Sequence, residues 1–387
     1  MNTAAGRHTA EVNIFTEMSA LAETHAAVNL GQGFPDSAGP VEIIEAAVAA
    51  LRAGHNQYPP VPGIAPLREA VAHHQRHWYG IPVDPRSEVV ITAGASEAIA
   101  AAVLAFVSPG DEVVVLEPFY DLYRACVSMA GGTLVPVRLH EPGFRFDQAA
   151  LAAAVTDRTR MLLLNSPHNP TGLVLDEHEV RAVAGIAAEH DLLVVADEVY
   201  EHMVYDGRRH HPVAAVPGMW ERTVSISSAG KSFSVTGWKV GWATGPADLL
   251  SRVQGVKQYL SFAAGTPLQH GVVRALACPD SYYEDLRTDY QRRRDLLADG
   301  LAELGFAVSR PAGTYFVTVD AGPLGATDGL RFCRELPRRC GVAAIPNSVF
   351  YTDPGAAGAQ VRFTFCKPEA VLREGLRRLR RGLRGGW

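Results

Sequence analysis

Lysine is scarce in this chain of 387 residues: of its 36 basic side chains only four are lysine, the rest arginine. Cysteine is thin as well. The five cysteines, Cys126, Cys278, Cys333, Cys340 and Cys366, are widely spaced and include no Cys-x-x-Cys pair. The odd count and the spacing predict free thiols in a reducing, cytoplasmic setting. Long hydrophobic runs are missing too; nothing reaches the roughly 18 apolar residues of a membrane span, and the N-terminus lacks the apolar core of a secretory signal. Strong charge of either sign is absent. A net charge of -5 argues against nucleic acid or an anionic membrane as the main partner. What remains is a globular composition, 47% hydrophobic and 20% charged, long enough for a large core and more than one domain.

The middle of the chain alternates strand and helix signals. Short apolar runs, VVIT (89–92), EVVVLEP (112–118), MLLLNSP (161–167), LLVVADEVY (192–200) and TVSISS (223–228), read as strands. Helical patterns follow the first three at 96–107, 120–130 and 177–190. Continuous apolar runs of this length suit parallel strands buried on both faces, and repeated β-α units predict a doubly wound α/β sheet. From about residue 280 the texture changes to a long charged helix (282–304), the strand-like runs FAVSRP, TYFVTVD and VRFTFC, and a helix at 327–340. The expected organisation is an N-terminal segment (1–40) packing with a small α+β domain (281–387), and a large domain (41–280) between them. The basic end LREGLRRLRRGLRGGW repeats leucine at helical spacing, which an amphipathic helix with a solvated arginine face explains.

Several stretches carry chemistry. LGQGFPD contains G-x-G, but the third small residue of a dinucleotide loop is replaced by Asp36, so a glycine loop admitting a ligand near the backbone fits better. Gly94-Ala95-Ser96-Glu97-Ala98, between a strand and a helix, reads either as a hydrolase elbow with Ser96 as nucleophile or as an anion cradle; no HGGG-type oxyanion loop supports the hydrolase. His73, His74 and His77 share a helical segment without a His-Glu-x-x-His motif, and no metal is expected. Asp197 ends an apolar strand, where a carboxylate either reaches solvent or meets a buried cation. In SSAGKSFSVTGWKVGW two of the four lysines stand eight residues apart, Lys231 just past a strand end and Lys239 after Gly237. A lysine that attacks a carbonyl needs such a positioned, partly dry place, and a second cation nearby would suit a phosphate.

Taken in order, NLGQGFPD, NQYPPVPG, EPFYDLY, NSPHNPTG, ADEVY, SAGKSFSVTGWKVG and VRFTFCK resemble the fold-type I, pyridoxal 5'-phosphate-dependent class I/II aminotransferases over nearly the whole chain. Within that family the chain is most similar to the subgroup of kynurenine/glutamine aminotransferases with cysteine-S-conjugate β-lyase activity, and also to actinobacterial N-succinyldiaminopimelate aminotransferases. The resemblance implies that Lys231 bonds the cofactor covalently and that Asp197 pairs with its ring nitrogen. It implies that Tyr200 and Asn169 bond the ring oxygen and that Phe119 stacks on the ring. Ser228, Lys239 and the backbone at Ala95 and Ser96 are implied to hold the phosphate, with Tyr58 reaching it across a homodimer interface. Arg362 would clamp the substrate α-carboxylate and Gly33 would face it. Lys239 departs from the arginine of most of the wider family; it keeps the charge and loses the bidentate fork. The implied reaction moves an amino group from an α-amino acid to a 2-oxo acid. A neutral or aromatic donor (glutamine, methionine, phenylalanine, kynurenine) is expected first. N-succinyl-LL-2,6-diaminopimelate is the alternative, since its distal carboxylate needs a further cation, for which Arg7 and Arg68 are candidates. β-Elimination or oxidation on the same scaffold is a further alternative.

Overall fold

The computed structural model describes residues 13–384 and 387. Its centre is a seven-stranded sheet of β1 (Val89–Thr92), β2 (Glu112–Glu117), β3 (Thr133–Arg138), β4 (Thr159–Asn165), β5 (Leu193–Asp197), β6 (Thr223–Ser228) and β7 (Gly241–Thr244), in the order β1-β7-β6-β5-β4-β2-β3. Only β7 runs antiparallel to its neighbours. Alternate residues of each strand enter opposite cores. Val113, Val115, Leu163, Val195 and Ile226 meet the helices Ala95–Phe106 and Ala247–Leu260 on one face. Val114, Leu116, Leu162, Val194 and Ala196 meet the helix Glu177–Glu189 on the other. Double-sided burial is why these strands show as unbroken apolar runs.

Two strands of this sheet escaped the sequence reading. β3 is an edge strand, largely exposed, with Pro136 inside it, and so has no apolar run to betray it. β7 is four residues long and begins with glycine.

A second sheet, β8 (Ala307–Ser309), β9 (Phe316–Asp320), β10 (Ile345–Pro346) and β11 (Gln360–Thr364), is antiparallel throughout, in the order β10-β11-β9-β8. The helices Asp280–Glu303, Gly329–Cys340 and Glu369–Gly382 cover it around Leu297, Leu336, Phe363 and Leu372. The N-terminal helix Ile14–Thr24 joins this core, and Val28–Asn29 pairs in parallel with Val342–Ala343. Along the last helix Leu372 and Leu379 are buried, while Arg373, Arg377 and Arg378 face glutamates one turn away. Among the described residues no helix is long and apolar enough to cross a membrane.

Candidate active site

The carboxyl ends of β4, β5 and β6, the start of the helix Ala95–Phe106 and the two central strands of the second sheet, through Phe316 and Arg362, meet around a cavity of about 260 Å³. Strand C-termini of an open α/β sheet are where ligands are expected. Gly33, Ala95, Ser96, Asn169, Asp197, Tyr200, Ser228, Lys231, Lys239 and Arg362 all line it. Its charged lining comprises three cations, Lys231, Lys239 and Arg362, against one carboxylate, Asp197. None of these cations forms an ion pair among the described residues, so the cavity suits a ligand carrying several negative charges.

Asp197 ends β5 and is buried. Burial raises its pKa to about 6, against the pull of the Tyr123 hydroxyl at 2.7 Å, the Val199 N–H and the Lys231 charge. Such an acid holds a proton, or a protonated partner, near neutrality. Lys231 lies in the short helix Ala229–Ser232 that caps β6, its amine 5.6 Å from the Tyr200 ring centre and 5.7 Å from that of Tyr315. Desolvation lowers its pKa to about 8, with Asp197 opposing. An appreciable neutral fraction makes this amine a usable nucleophile and base.

Lys239 takes a left-handed backbone (φ 53°) that brings its amine against Gly94. A Cβ on Gly94 would stand 3.1 Å from that nitrogen, and Gly94 itself needs φ +76°. The same place begins the helix Ala95–Phe106, whose first-turn N–H groups have no intrahelical acceptor. A fixed cation beside a helix N-terminus, with Ser96 and Ser228 also in the wall, is a donor set for phosphate.

Arg362, on β11, is 2% exposed. Its guanidinium lies 3.9 Å from the Phe316 ring centre and 4.8 Å from that of Phe350. One nitrogen donates to Asn169 Oδ1 at 2.6 Å, and Nε is buried with no partner. Burial lowers its pKa to about 10, which leaves it charged at neutral pH and without a counter-ion. A carboxylate entering the cavity would supply one.

One expected residue stands elsewhere, and one lies away from the cavity of its own chain. Phe119 is 1% exposed in the core on one sheet face, beneath the Arg124 guanidinium, and does not line the cavity; Tyr120 does. Successive residues of an extended segment point opposite ways, so the aromatic facing the ligand is the neighbour. Tyr58 is 84% exposed, edge-on to Phe262 at 5.3 Å, and outside the cavity of its own chain. The sequence reading missed Tyr123 and Asn165. Asn165 accepts the Asn169 N–H and donates to the Asp197 carbonyl, joining two strand ends. Both lie inside motifs already singled out, EPFYDLY and NSPHNP, where one residue each had been given a role. His74 is buried, and its Nε2 is 2.7 Å from His202 Nε2. No histidine lines the cavity among the described residues, so Ser96 lacks the imidazole partner of a Ser-His-Asp triad.

A doubly wound sheet whose strand ends present a desolvated lysine, a buried acid, a phosphate cradle and an unpaired arginine is the frame of an enzyme that works on amines through a phosphate-bearing cofactor. Residues 26–379 match the family aminotransferase class I and II, and the chain belongs to that family, whose enzymes use pyridoxal 5'-phosphate. It is 52% identical over 377 residues to a probable N-succinyldiaminopimelate aminotransferase of Mycobacterium tuberculosis, covering 95% of each chain. It is 40% identical over 367 residues to a methionine aminotransferase of Escherichia coli, again over 95% of each. The solved N-succinyldiaminopimelate aminotransferase of M. tuberculosis superposes with a TM-score of 0.94 at 52% identity, covering 95% of this chain and 97% of that one. The donor set fits the cofactor: one cradle for its phosphate, one buried acid for its ring nitrogen, one amine for its carbonyl.

Proposed function

We propose that the chain is an N-succinyl-LL-2,6-diaminopimelate aminotransferase that passes the amino group to a 2-oxo acid such as 2-oxoglutarate. The observation that carries this reading is the 52% identity, sustained along 95% of both chains, to the relative of that name. It reverses the order of donors expected from the sequence. When bound, pyridoxal 5'-phosphate would supply the electron sink that lets an α-C–H bond ionise.

The chain's own residues are assigned as follows. Lys231 would hold the cofactor through its amine and would move the proton at the substrate α-carbon. Asp197 keeps the ring nitrogen protonated, steadied by Tyr123. Asn169 and Tyr200 would bind the cofactor's ring oxygen, Tyr120 would pack on its ring, and Ser228, Lys239 and the amides of Ala95 and Ser96 would hold its phosphate. Arg362 binds the α-carboxylate as a fork beside Gly33. Tyr58 serves the neighbouring subunit of a homodimer.

A second reading, a neutral or aromatic donor, is favoured by one observation. Phe15, Phe34, Tyr120 and Phe316 line the cavity, and beyond the three cations already assigned no further one lines it among the described residues. Arg68 is committed to the Gly63 and Pro85 carbonyls, and Arg7 lies outside the described residues. An unpaired distal carboxylate against that wall is strongly disfavoured, so the first reading requires a cation from another part of the assembly. Values of kcat/KM for the succinylated diamino acid, methionine, phenylalanine and kynurenine with one acceptor decide between them. An advantage of about a hundredfold for the succinylated donor, about 2.7 kcal/mol at the transition state, is expected; a neutral donor ahead by that margin reverses the assignment. Ammonia and pyruvate, or peroxide, among the products would reveal elimination or oxidation.

A further inference from the structure

One residue away from the cavity wall lies a set of buried polar side chains with no part in the site described above. Glu201 follows Tyr200 and Ser227 precedes Ser228, and each is 4% exposed. Ser227 Oγ donates to Glu201 Oε1 at 2.5 Å, and Tyr79 Oη donates to Oε2 at 2.5 Å. Tyr79 ends the helix Ala65–Tyr79. One carboxylate therefore joins three segments: the turn after β5, the end of β6 and this helix.

The place of that bridge matters. β5 and β6 pair in register from Val194↔Thr223 to Asp197↔Ile226, and the Glu198 N–H still reaches the Ile226 carbonyl at 2.8 Å. Beyond it, among the described residues, no backbone hydrogen bond ties the Tyr200 turn to the Ser227–Lys231 segment. Yet the site needs Tyr200 and Asp197 held against Ser228 and Lys231. Side chains alternate along β6, so Ser228 faces the cavity while Ser227 faces Glu201.

We propose that Glu201 is a positioning residue whose carboxylate, bridging Ser227 and Tyr79, sets the spacing between the Tyr200 turn and the Ser228–Lys231 segment; this rests on the cofactor reading of the cavity. A metal ion is the rival use of the cluster, because His74, Glu201 and His202 have ligand atoms within 4.8 Å of one another. Both carboxylate oxygens already accept hydroxyl protons, however, and the two imidazole Nε2 atoms meet directly at 2.7 Å. The carboxylate oxygens and facing Nε2 atoms that an ion would need are thereby engaged with one another, while His74 Nδ1 is buried without a partner. Other titratable groups around Glu201 are Glu198 on the same turn, His210 with Nε2 3.3 Å from Glu198, and Tyr283 on the helix Asp280–Glu303. Burial in this company raises the Glu201 carboxyl to about 7.

The experiment compares Glu201→Ala, Glu201→Gln and Ser227→Ala holoenzymes, each assayed with whichever amino donor the parent turns over fastest. Gln can accept from Ser227 through its carbonyl and donate to Tyr79 through its amide, so it keeps the bridge without the charge. For Glu201→Ala, kcat should fall about tenfold or more while KM stays within about twofold, because small displacements of reacting groups act on the chemical step. The visible circular dichroism of the bound cofactor should change with it. Glu201→Gln should restore both to within about threefold, and Ser227→Ala, which removes one oxygen only, should fall between. A lower melting temperature in Glu201→Ala with parental kcat and dichroism would make the residue merely structural and overturn the proposal. Failure of Gln as complete as that of Ala would overturn the bridge in favour of charge. Should Glu201→Ala not fold, parental behaviour of Ser227→Ala has the same force. A parent that binds no cofactor would instead sink the reading of the cavity itself.

Discussion

Lys231 shows how a functional group burdens the fold that carries it. Its folded pKa, about 8, lies below the ordinary lysine value of 10.5. Below pH 8 both folded and unfolded chains hold the proton, and the folded state bears the full penalty of a desolvated charge. Between 8 and 10.5 the folded chain gives up its proton first, and the penalty fades as pH rises. It amounts to at most about 3 kcal/mol, since the cavity leaves the amine some water. Lys231→Met should therefore abolish turnover and yet raise the melting temperature of the cofactor-free protein at pH 7, with the gain shrinking towards pH 10. Thermal unfolding at the two pH values tests this; an equal gain at both would mean that packing, not charge, is responsible. Tyr123 acts on the other charged partner. Removing its hydroxyl deletes an interaction that holds the Asp197 pKa down, so the pKa should rise further. Tyr123→Phe should slow the half-reaction with an amino acid about tenfold or more, the scale of a hydrogen bond to a charged group. The acidic limb of its pH profile should move to higher pH. A stopped-flow profile that overlays the parent's would show Tyr123 to be a bystander.

At the scale of elements, the phosphate cradle depends on how closely β7 approaches the start of the helix Ala95–Phe106. A Cβ on Gly241 would stand 2.7 Å from the Ala95 nitrogen and 2.7 Å from the Gly94 carbonyl carbon. Neither backbone atom can swing aside as the end of a side chain can. Gly241→Ala should push the helix start from Lys239, destabilise the fold by about 1–3 kcal/mol and weaken cofactor retention. Absorbance of the bound cofactor after gel filtration, read beside the melting curve, checks both effects. Full retention would mean that the helix start can shift without loss of the cradle.

For the whole molecule, the exposed aromatic and aliphatic side chains stand out against the acidic surface. Tyr58 and Tyr259 are 84% and 86% exposed, Phe262 leans on Tyr58, and Leu260 is exposed beside them. The underlying loop is held firmly, since buried Lys257 bonds the Val61 and Phe262 carbonyls. A rigid apolar patch of this kind suits burial against a second copy. The chain is expected to sediment as a dimer at micromolar concentration, and Phe262→Glu to shift it towards monomer with loss of activity. A fully active monomer at the same concentration would remove the shared site.

Much of the cofactor apparatus was legible because its residues sit at the ends of strands whose apolar runs are continuous. Asp197 ends such a strand and Lys231 lies just past one, but local sequence left their surroundings open, and the family resemblance supplied the roles proposed for them. The second sheet announced itself the same way, through TYFVTVD and VRFTFC. Other features depend on pairs that the chain brings together only by folding. The Tyr123–Asp197 bond spans 74 residues and the Arg362–Asn169 bond spans 193. The choice of Tyr120 over Phe119 turns on which way one backbone segment faces. β7 enters between β1 and β6 against the direction of its neighbours, which no property of GWAT predicts. The sequence by itself determined the family and the strands at whose ends the candidate groups sit, because those elements are locally encoded. Only the tertiary structure decided the cavity wall and the support behind it, because those are contacts between segments far apart along the chain.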